Sequence, residues 1–345
     1  MEGPNEEIKK INSENKSKSI DKYIDLHLHL DGAITLDIAK KLASLQNIEL
    51  PAKTDEELES LLSVKGVMDN LEQFLNYFRI PLSLLQTEIG ISEGIRLVAD
   101  NIKSQNVIYA EIRFAPQLHT RRGLTQEKVI LAALDGMKKT SLKINLIICF
   151  MRFKNNQAQN EETLELAKKY LVSDGGVVAV DIAGDEAKNP VMNYKYLFEK
   201  CYEYNIPFTI HAGEAAGADS VKNAIELGPK RIGHGTRAFE NPEVVQLIKD
   251  KGIFLEMSPT SNLKTKALED MDQFPFMDYL NEGIKVTLNT DDMAIERTTL
   301  ADEFKYMETK FGLNYEQEKI ILLNSIEGAF TTGEVKEQLR KEIGI

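Results

Sequence analysis

A (β/α)8 TIM barrel, an α/β architecture, is the fold that this sequence of 345 residues predicts, and three observations predict it. Eight short apolar runs recur along the chain, at 23–30, 107–114, 144–152, 177–183, 207–211, 231–235, 252–257 and 285–290. Most are rich in Val, Ile, Leu and Phe, as parallel strands buried on both faces are. Helix-forming stretches lie between most of them, and such alternation builds a parallel sheet able to close into a barrel. Finally, four of the five histidines stand at the ends of these runs, where such barrels carry their chemistry.

Taken in order, the first run reads Tyr23-Ile24-Asp25-Leu26-His27-Leu28-His29-Leu30. Side chains alternate across a strand, so His27 and His29 share one face while Leu26, Leu28 and Leu30 enter an apolar layer on the other. The connection at 34–106 is far longer than one crossover helix needs. Several helices are expected there, some of them covering the barrel mouth as a lid. Its cluster of Phe74, Tyr77, Phe78, Ile80, Leu82, Leu84 and Leu85 is read as a mixture of pocket lining and ordinary helix packing. Further helices are expected at 161–171, 194–204, 219–227 and 242–250. The last opens on Asn241-Pro242-Glu243, a capping residue followed by proline at the first helical position. Two more helices are expected in the tail, at 300–310 and 315–325.

The reading is one domain at 21–345 after a polar lead-in at 1–20, which carries no apolar core of a secretory signal. Hydrophobic residues make up 42% of the chain, enough for a sizeable core, and the formal charge is −12. No stripe of Lys and Arg offers a nucleic-acid groove, and the acidity disfavours anionic membrane surfaces. No apolar stretch is long enough to span a bilayer. Cys149 and Cys201 form no CxxC pair, and Cys149, inside an apolar run, reads as a buried free thiol, which a reducing cytoplasm tolerates.

The strand ends carry the function. Strand one ends in His27, His29 and Asp31; strand four in Asp181-Ile182-Ala183-Gly184-Asp185-Glu186; strand five in His211-Ala212-Gly213-Glu214. Strand six ends in Gly233-His234-Gly235 and strand eight in Asn289-Thr290-Asp291-Asp292. Three neutral imidazoles and one carboxylate suit Zn²⁺, with His27, His29 and His211 giving nitrogen and Asp291 or Asp292 giving oxygen. Both aspartates approach one ion only if the chain bends at the strand end. Singly, each residue also fits a plainer role: His211 bonded to backbone, Glu214 favoured by a helix dipole, His234 in a turn, Asp291 and Asp292 as helix caps. Jointly, those roles need unrelated accidents at four strand ends. His119, past strand two, reads as structural or peripheral, and Arg113 as the partner of a carboxylate in or below the barrel.

Six motifs in order complete the picture: His27-Leu28-His29-Leu30-Asp31-Gly32-Ala33, Ile182-Ala183-Gly184-Asp185-Glu186, His211-Ala212-Gly213-Glu214, Arg231-Ile232-Gly233-His234-Gly235, Ser258-Pro259-Thr260-Ser261-Asn262 and Asn289-Thr290-Asp291-Asp292. With them the chain resembles the adenosine deaminase family of the amidohydrolase superfamily over about residues 20–335. The resemblance implies hydrolytic deamination of adenosine, and of 2′-deoxyadenosine, to inosine and ammonia in purine salvage. It implies one Zn²⁺ per chain on His27, His29, His211 and Asp291. Glu214 would protonate purine N1, while His234 and Asp292 position and deprotonate the attacking water. His29, Asp31, Gly184 and Asp292 would face the substrate, with the Gly184 N–H at N3, Asp292 at N7 and Asp31 at the ribose hydroxyls. The chain departs from the family at Ser258, often Cys, and at Met293, often Pro, which bears on the bend presenting the two aspartates.

The nearest rival is a related purine deaminase acting on adenine or a modified adenosine. A two-metal hydrolase would carry a bridging lysine at the end of strand four, where this chain has none. The cytidine-deaminase type of zinc fold needs P-C-x-x-C, which is absent. A non-enzymatic binder on the same barrel would have no physical need for the full ligand and acid–base set.

Overall fold

The computed structural model describes residues 20–68 and 71–344. The expected lead-in at 1–20 therefore lies, but for its last residue, outside the described residues. Eight strands form where the apolar runs lie: β1 (Tyr23–His29), β2 (Val107–Phe114), β3 (Lys143–Met151), β4 (Val177–Ala183), β5 (Thr209–Ala212), β6 (Arg231–His234), β7 (Phe254–Met257) and β8 (Lys285–Leu288). All ladders are parallel, in two runs, β1-β2-β3-β4 and β5-β6-β7-β8. Two short pairings join the runs. Val180 pairs with Phe208, and the Val180 N–H donates to the Pro207 carbonyl at 3.0 Å. Leu28 pairs with Asp291, where the His29 N–H donates to Asp291 O at 2.9 Å and the Asp291 N–H to His27 O at 2.8 Å. The ring closes as a (β/α)8 barrel, and its seam runs through the residues that the sequence singles out.

The helices lie close to their expected positions, at Gln157–Tyr170, Lys195–Glu203, Ala218–Glu226 and Pro242–Lys251. Asn241 caps the last, its side chain accepting from the Glu243 N–H with Pro242 at the first turn. The long first connection holds helices Leu36–Gln46, Asp55–Leu62, Leu71–Phe74, Arg79–Leu84 and Glu88–Ser104. The two expected tail helices run over Leu300–Phe311 and Tyr315–Gly328. A third, Gly333–Ile343, goes beyond the expectation; it buries only Val335 and Leu339, too sparse an apolar pattern to read. The apolar layer behind β1 is partly this tail, since Leu26 packs with Ile326, Ala329, Val335 and Leu339. Leu28 and Leu30 enter the main core instead.

Candidate active site

Four ligand atoms, one each from His27, His29, His211 and Asp291, lie within 4.8 Å of one another at the C-terminal ends of β1, β5 and β8. His27 Nε2 and His29 Nε2 each stand 3.4 Å from Asp291 Oδ1, and His29 Nε2 stands 3.3 Å from His211 Nε2. Burial holds His29 well below its ordinary pKa, so this imidazole is neutral. His27 Nε2 is buried with no hydrogen-bond partner. Several nitrogens and one carboxylate oxygen thus converge, one nitrogen orphaned, and a shared divalent cation satisfies them together. Three nitrogens and one oxygen are the donor set that Zn²⁺ takes.

The bend that both aspartates require is present. Asp291 has φ +60°, in the left-handed region, and so has His234, at +64°. Side chains that would alternate along a regular strand are thereby turned onto one side. Asp292 occupies the capping position of the short helix Met293–Glu296, yet its side chain makes no capping bond. Gly32 sets its place: a Cβ there would fall 1.8 Å from Asp292 Oδ1. Against burial, His27, by its charge and hydrogen bond, and His234 hold Asp291 well below the usual carboxylate range. Burial and the charges of Asp291 and Glu296 push Asp292 well above it. Opposite shifts in adjacent carboxyls are the electrostatic mark of a reactive site.

His234 Nε2 stands 3.6 Å from Glu214 Oε2 and 3.6 Å from Asp291 Oδ2. Its other nitrogen meets Asn262 Nδ2 at 3.1 Å, and Asn262 accepts from the Thr236 hydroxyl at 2.6 Å. The imidazoles of His29, His211 and His234 border one cavity of about 260 Å³ with Glu214, Asp291 and Asp292, together with Asp31, Gly184 and Asp185. Burial raises the Asp31 carboxyl to about 6. Most of the remaining wall is apolar, with Phe74, Leu75, Phe78 and Leu82 from the first connection and Leu118, Cys149, Met151 and Phe153. The aromatic cluster divides between the two roles. Phe74, Phe78 and Leu82 border the cavity, whereas Ile80, Leu84 and Leu85 join the main core. Among the described residues, Arg121 is the lysine or arginine on the cavity wall.

Beneath the imidazoles runs a buried ionic chain, of which the sequence foretells only Arg113 as the partner of a carboxylate. Glu256 on β7 accepts from His27 Nδ1 at 2.8 Å, and Asp181 on β4 stands 2.7 Å from His211 Nδ1. Arg113 bridges these two carboxylates, at 2.7 Å from Asp181 and 2.8 Å from Glu256. Arg231 binds the far side of Glu256 and reaches Glu111 at 2.6 Å. Burial alone would raise both acids, but the neighbouring cations outweigh it and hold Glu256 and Asp181 low. Carboxylate partners of this kind orient ligating imidazoles and raise their basicity. A signal exists in the sequence: Glu111, Arg113, Asp181, Arg231 and Glu256 are charges inside otherwise apolar strands. His119 takes no part. It is buried behind Leu85, its Nδ1 2.9 Å from the Leu85 carbonyl, and burial lowers its pKa to about 4.

Residues 23–344 match the sequence profile of the adenosine deaminase family. The chain is 42% identical over 326 residues to an adenosine deaminase from Haemophilus ducreyi, covering 93% of this chain and 95% of that one. An adenosine deaminase from Clostridium botulinum is 39% identical over 324 residues, covering 92% and 97%. Among solved structures, the adenine deaminase from Arthrobacter aurescens superposes with a TM-score of 0.84 at 25% identity, covering 94% of this chain and 98% of that chain. With its barrel, its ordered motifs and these relatives, the chain belongs to the adenosine deaminase family.

Proposed function

We propose that this chain removes the 6-amino group of adenosine, and of 2′-deoxyadenosine, by hydrolysis, giving inosine and ammonia. The observation that carries the reading is the convergence of His29, His211, His234, Glu214, Asp291 and Asp292 at one cavity, with His27 buried against the ligand atoms of His29, His211 and Asp291. His27, His29, His211 and Asp291 would hold one Zn²⁺ per chain. When bound, such an ion lowers the pKa of its water from about 15.7 to about 7 and so supplies a nucleophile at neutral pH.

The chain's own residues do the rest. Adenine C6 is a poor electrophile because the aromatic ring resists addition. Glu214 donates a proton to N1 and draws electron density from C6. His234 and Asp292 position the attacking water, and Asp292 takes its proton. The oxygen adds at C6 and makes that carbon tetrahedral. The amino group accepts the proton that Asp292 took, the C–N bond breaks and ammonia leaves, and the hydroxyl proton passes to Glu214 as the C6 carbonyl forms. His234 offers Nε2 to the charge that develops on oxygen. The Gly184 N–H meets N3, Asp292 meets N7, and Asp31 holds the ribose hydroxyls. His29 borders the same cavity. The apolar wall from Phe74 to Leu82 covers the base and excludes water.

We place the reaction in purine salvage and in the cytoplasm, with residues 21–345 as one domain. Cys149 and Cys201 are free and buried, which fits a reducing compartment. Among the described residues, no helix is long and apolar enough to cross a membrane. The partner is a small purine nucleoside. A deaminase of free adenine is the second reading, suggested by the likeness to the Arthrobacter enzyme, but the higher identity to proteins named adenosine deaminase weighs against it.

Ammonia release from adenosine by zinc-loaded protein, beside a chelator-stripped control, tests the reading. Zinc-dependent release is the expected result. Release from adenine or an N6-substituted nucleoside, with adenosine left intact, would overturn it.

A further inference from the structure

Glu186 has no part in the chemistry above and does not border the cavity, yet it is the most heavily bonded carboxylate near it. It is 3% exposed. Its Oε1 accepts from the Gly213 N–H at 2.7 Å and from the Ser220 hydroxyl. Its Oε2 accepts from the N–H groups of Glu214, Ala215 and Ala216 at 3.1, 2.8 and 3.1 Å. Four consecutive amides converge on one acceptor only where the backbone turns. Here Gly213 at φ +78° provides the turn, just before helix Ala218–Glu226. One carboxylate therefore dictates the path of the segment that carries Glu214.

From the same side, Arg152 reinforces that tie. It is buried and donates to the carbonyls of His211 and Asn189, joining the end of β5 to the loop that carries Glu186. Glu186 itself stands two residues after Gly184, which borders the cavity. The loops bearing Gly184 and Glu214 are thus fastened to each other through a group that never meets the cavity.

We propose that Glu186 is a positioning residue for the deamination, holding Glu214 at the height where its carboxyl reaches purine N1. The inference rests on the function proposed above. Without the carboxylate, four amide N–H groups lose their shared acceptor, and the segment must shift or admit water. A displacement of about 1 Å in a proton donor is enough to lose about a hundredfold in rate.

The test is a double-mutant cycle with Glu186→Gln and Glu214→Gln, reading kcat on adenosine, zinc content and amide hydrogen exchange. In Glu186→Gln the introduced amide turns an NH2 toward N–H donors, so amides 213–216 exchange faster. kcat falls about a hundredfold while zinc content stays at the wild-type level. In the Glu214→Gln background the same change lowers the residual rate less than about threefold, because its route of action is already gone. Equal losses in both backgrounds, or near-normal kcat in Glu186→Gln, would overturn the proposal. Should Glu186→Gln fail to fold, Ser220→Ala removes one of the five bonds. It is expected to lower kcat by about threefold to tenfold, again only when Glu214 is present, and a loss independent of Glu214 would refute the proposal. Wild-type protein that holds zinc but leaves adenosine intact would instead refute the function, while hydrogen exchange at 213–216 would still report whether the tie exists.

Discussion

Replacing Arg113 with Met probes the ionic chain beneath the imidazoles. The guanidinium is fully buried and bridges Asp181 and Glu256, both fully buried as well. Deleting one partner of a buried pair destabilises by about 3–5 kcal/mol, because the other charge is left unpaired. Glu256 keeps Arg231, so the loss falls mainly on Asp181. About 4 kcal/mol less unfolding free energy is therefore expected for the metal-free protein. Asp181 left in this state relieves its charge by taking a proton or turning away, and His211 Nδ1 loses its acceptor. Loss of such an outer partner weakens metal binding by about 10-fold to 100-fold. Urea unfolding measures the first effect, and zinc competition against a chromophoric chelator measures the second. Arg113→Lys keeps the charge but not the two-pronged bridge, and should fall between. An Arg113→Met protein within about 1 kcal/mol of wild-type stability and about twofold of its zinc affinity would refute the reasoning.

Glu214→Gln should lose most of kcat, at least about a hundredfold, with zinc content unchanged; near-normal turnover would remove Glu214 from the mechanism. Gly32→Ala drives a methyl into Asp292, so kcat/KM should fall by at least about tenfold. Normal kinetics there would show that the Asp292 position is not needed. Glu303, buried against Thr260 and Thr298, has its carboxyl raised by burial from 4.5 to about 7. Between those values the folded chain keeps a proton that the unfolded chain releases. Its contribution to stability is therefore full below about pH 4.5 and lost as the pH climbs to about 7. Glu303→Gln should flatten that part of the profile by a few kcal/mol relative to wild type, read by urea unfolding at about pH 5 and pH 8. Parallel profiles would refute it.

The barrel is legible because buried parallel strands are continuous apolar runs, and because four histidines mark their ends. The four ligand atoms come together as the spacing suggests, since strand ends share one rim. The carboxylates behind them are not legible in the same way. Asp181 and Glu256 look like isolated charges until the barrel places them under His211 and His27. Glu186 reads only as part of a motif, since most of its partners are backbone amides and those leave no trace in residue identity. Helix Gly333–Ile343 escapes because it is mostly charged and polar, and its few apolar residues, Val335 and Leu339 among them, make too short a stripe to stand out.

The left-handed backbone at His234 and Asp291 has a consequence for anyone who would graft this site onto another barrel. Besides glycine, the residues most at ease at positive φ are Asn, Asp and His. These two positions therefore satisfy a conformational filter and a chemical one with the same residues. A host barrel with regular strand ends would present the copied side chains alternately, half of them outward into the helix layer. The kinks must be transplanted first, as backbone, before any histidine or aspartate is written onto them.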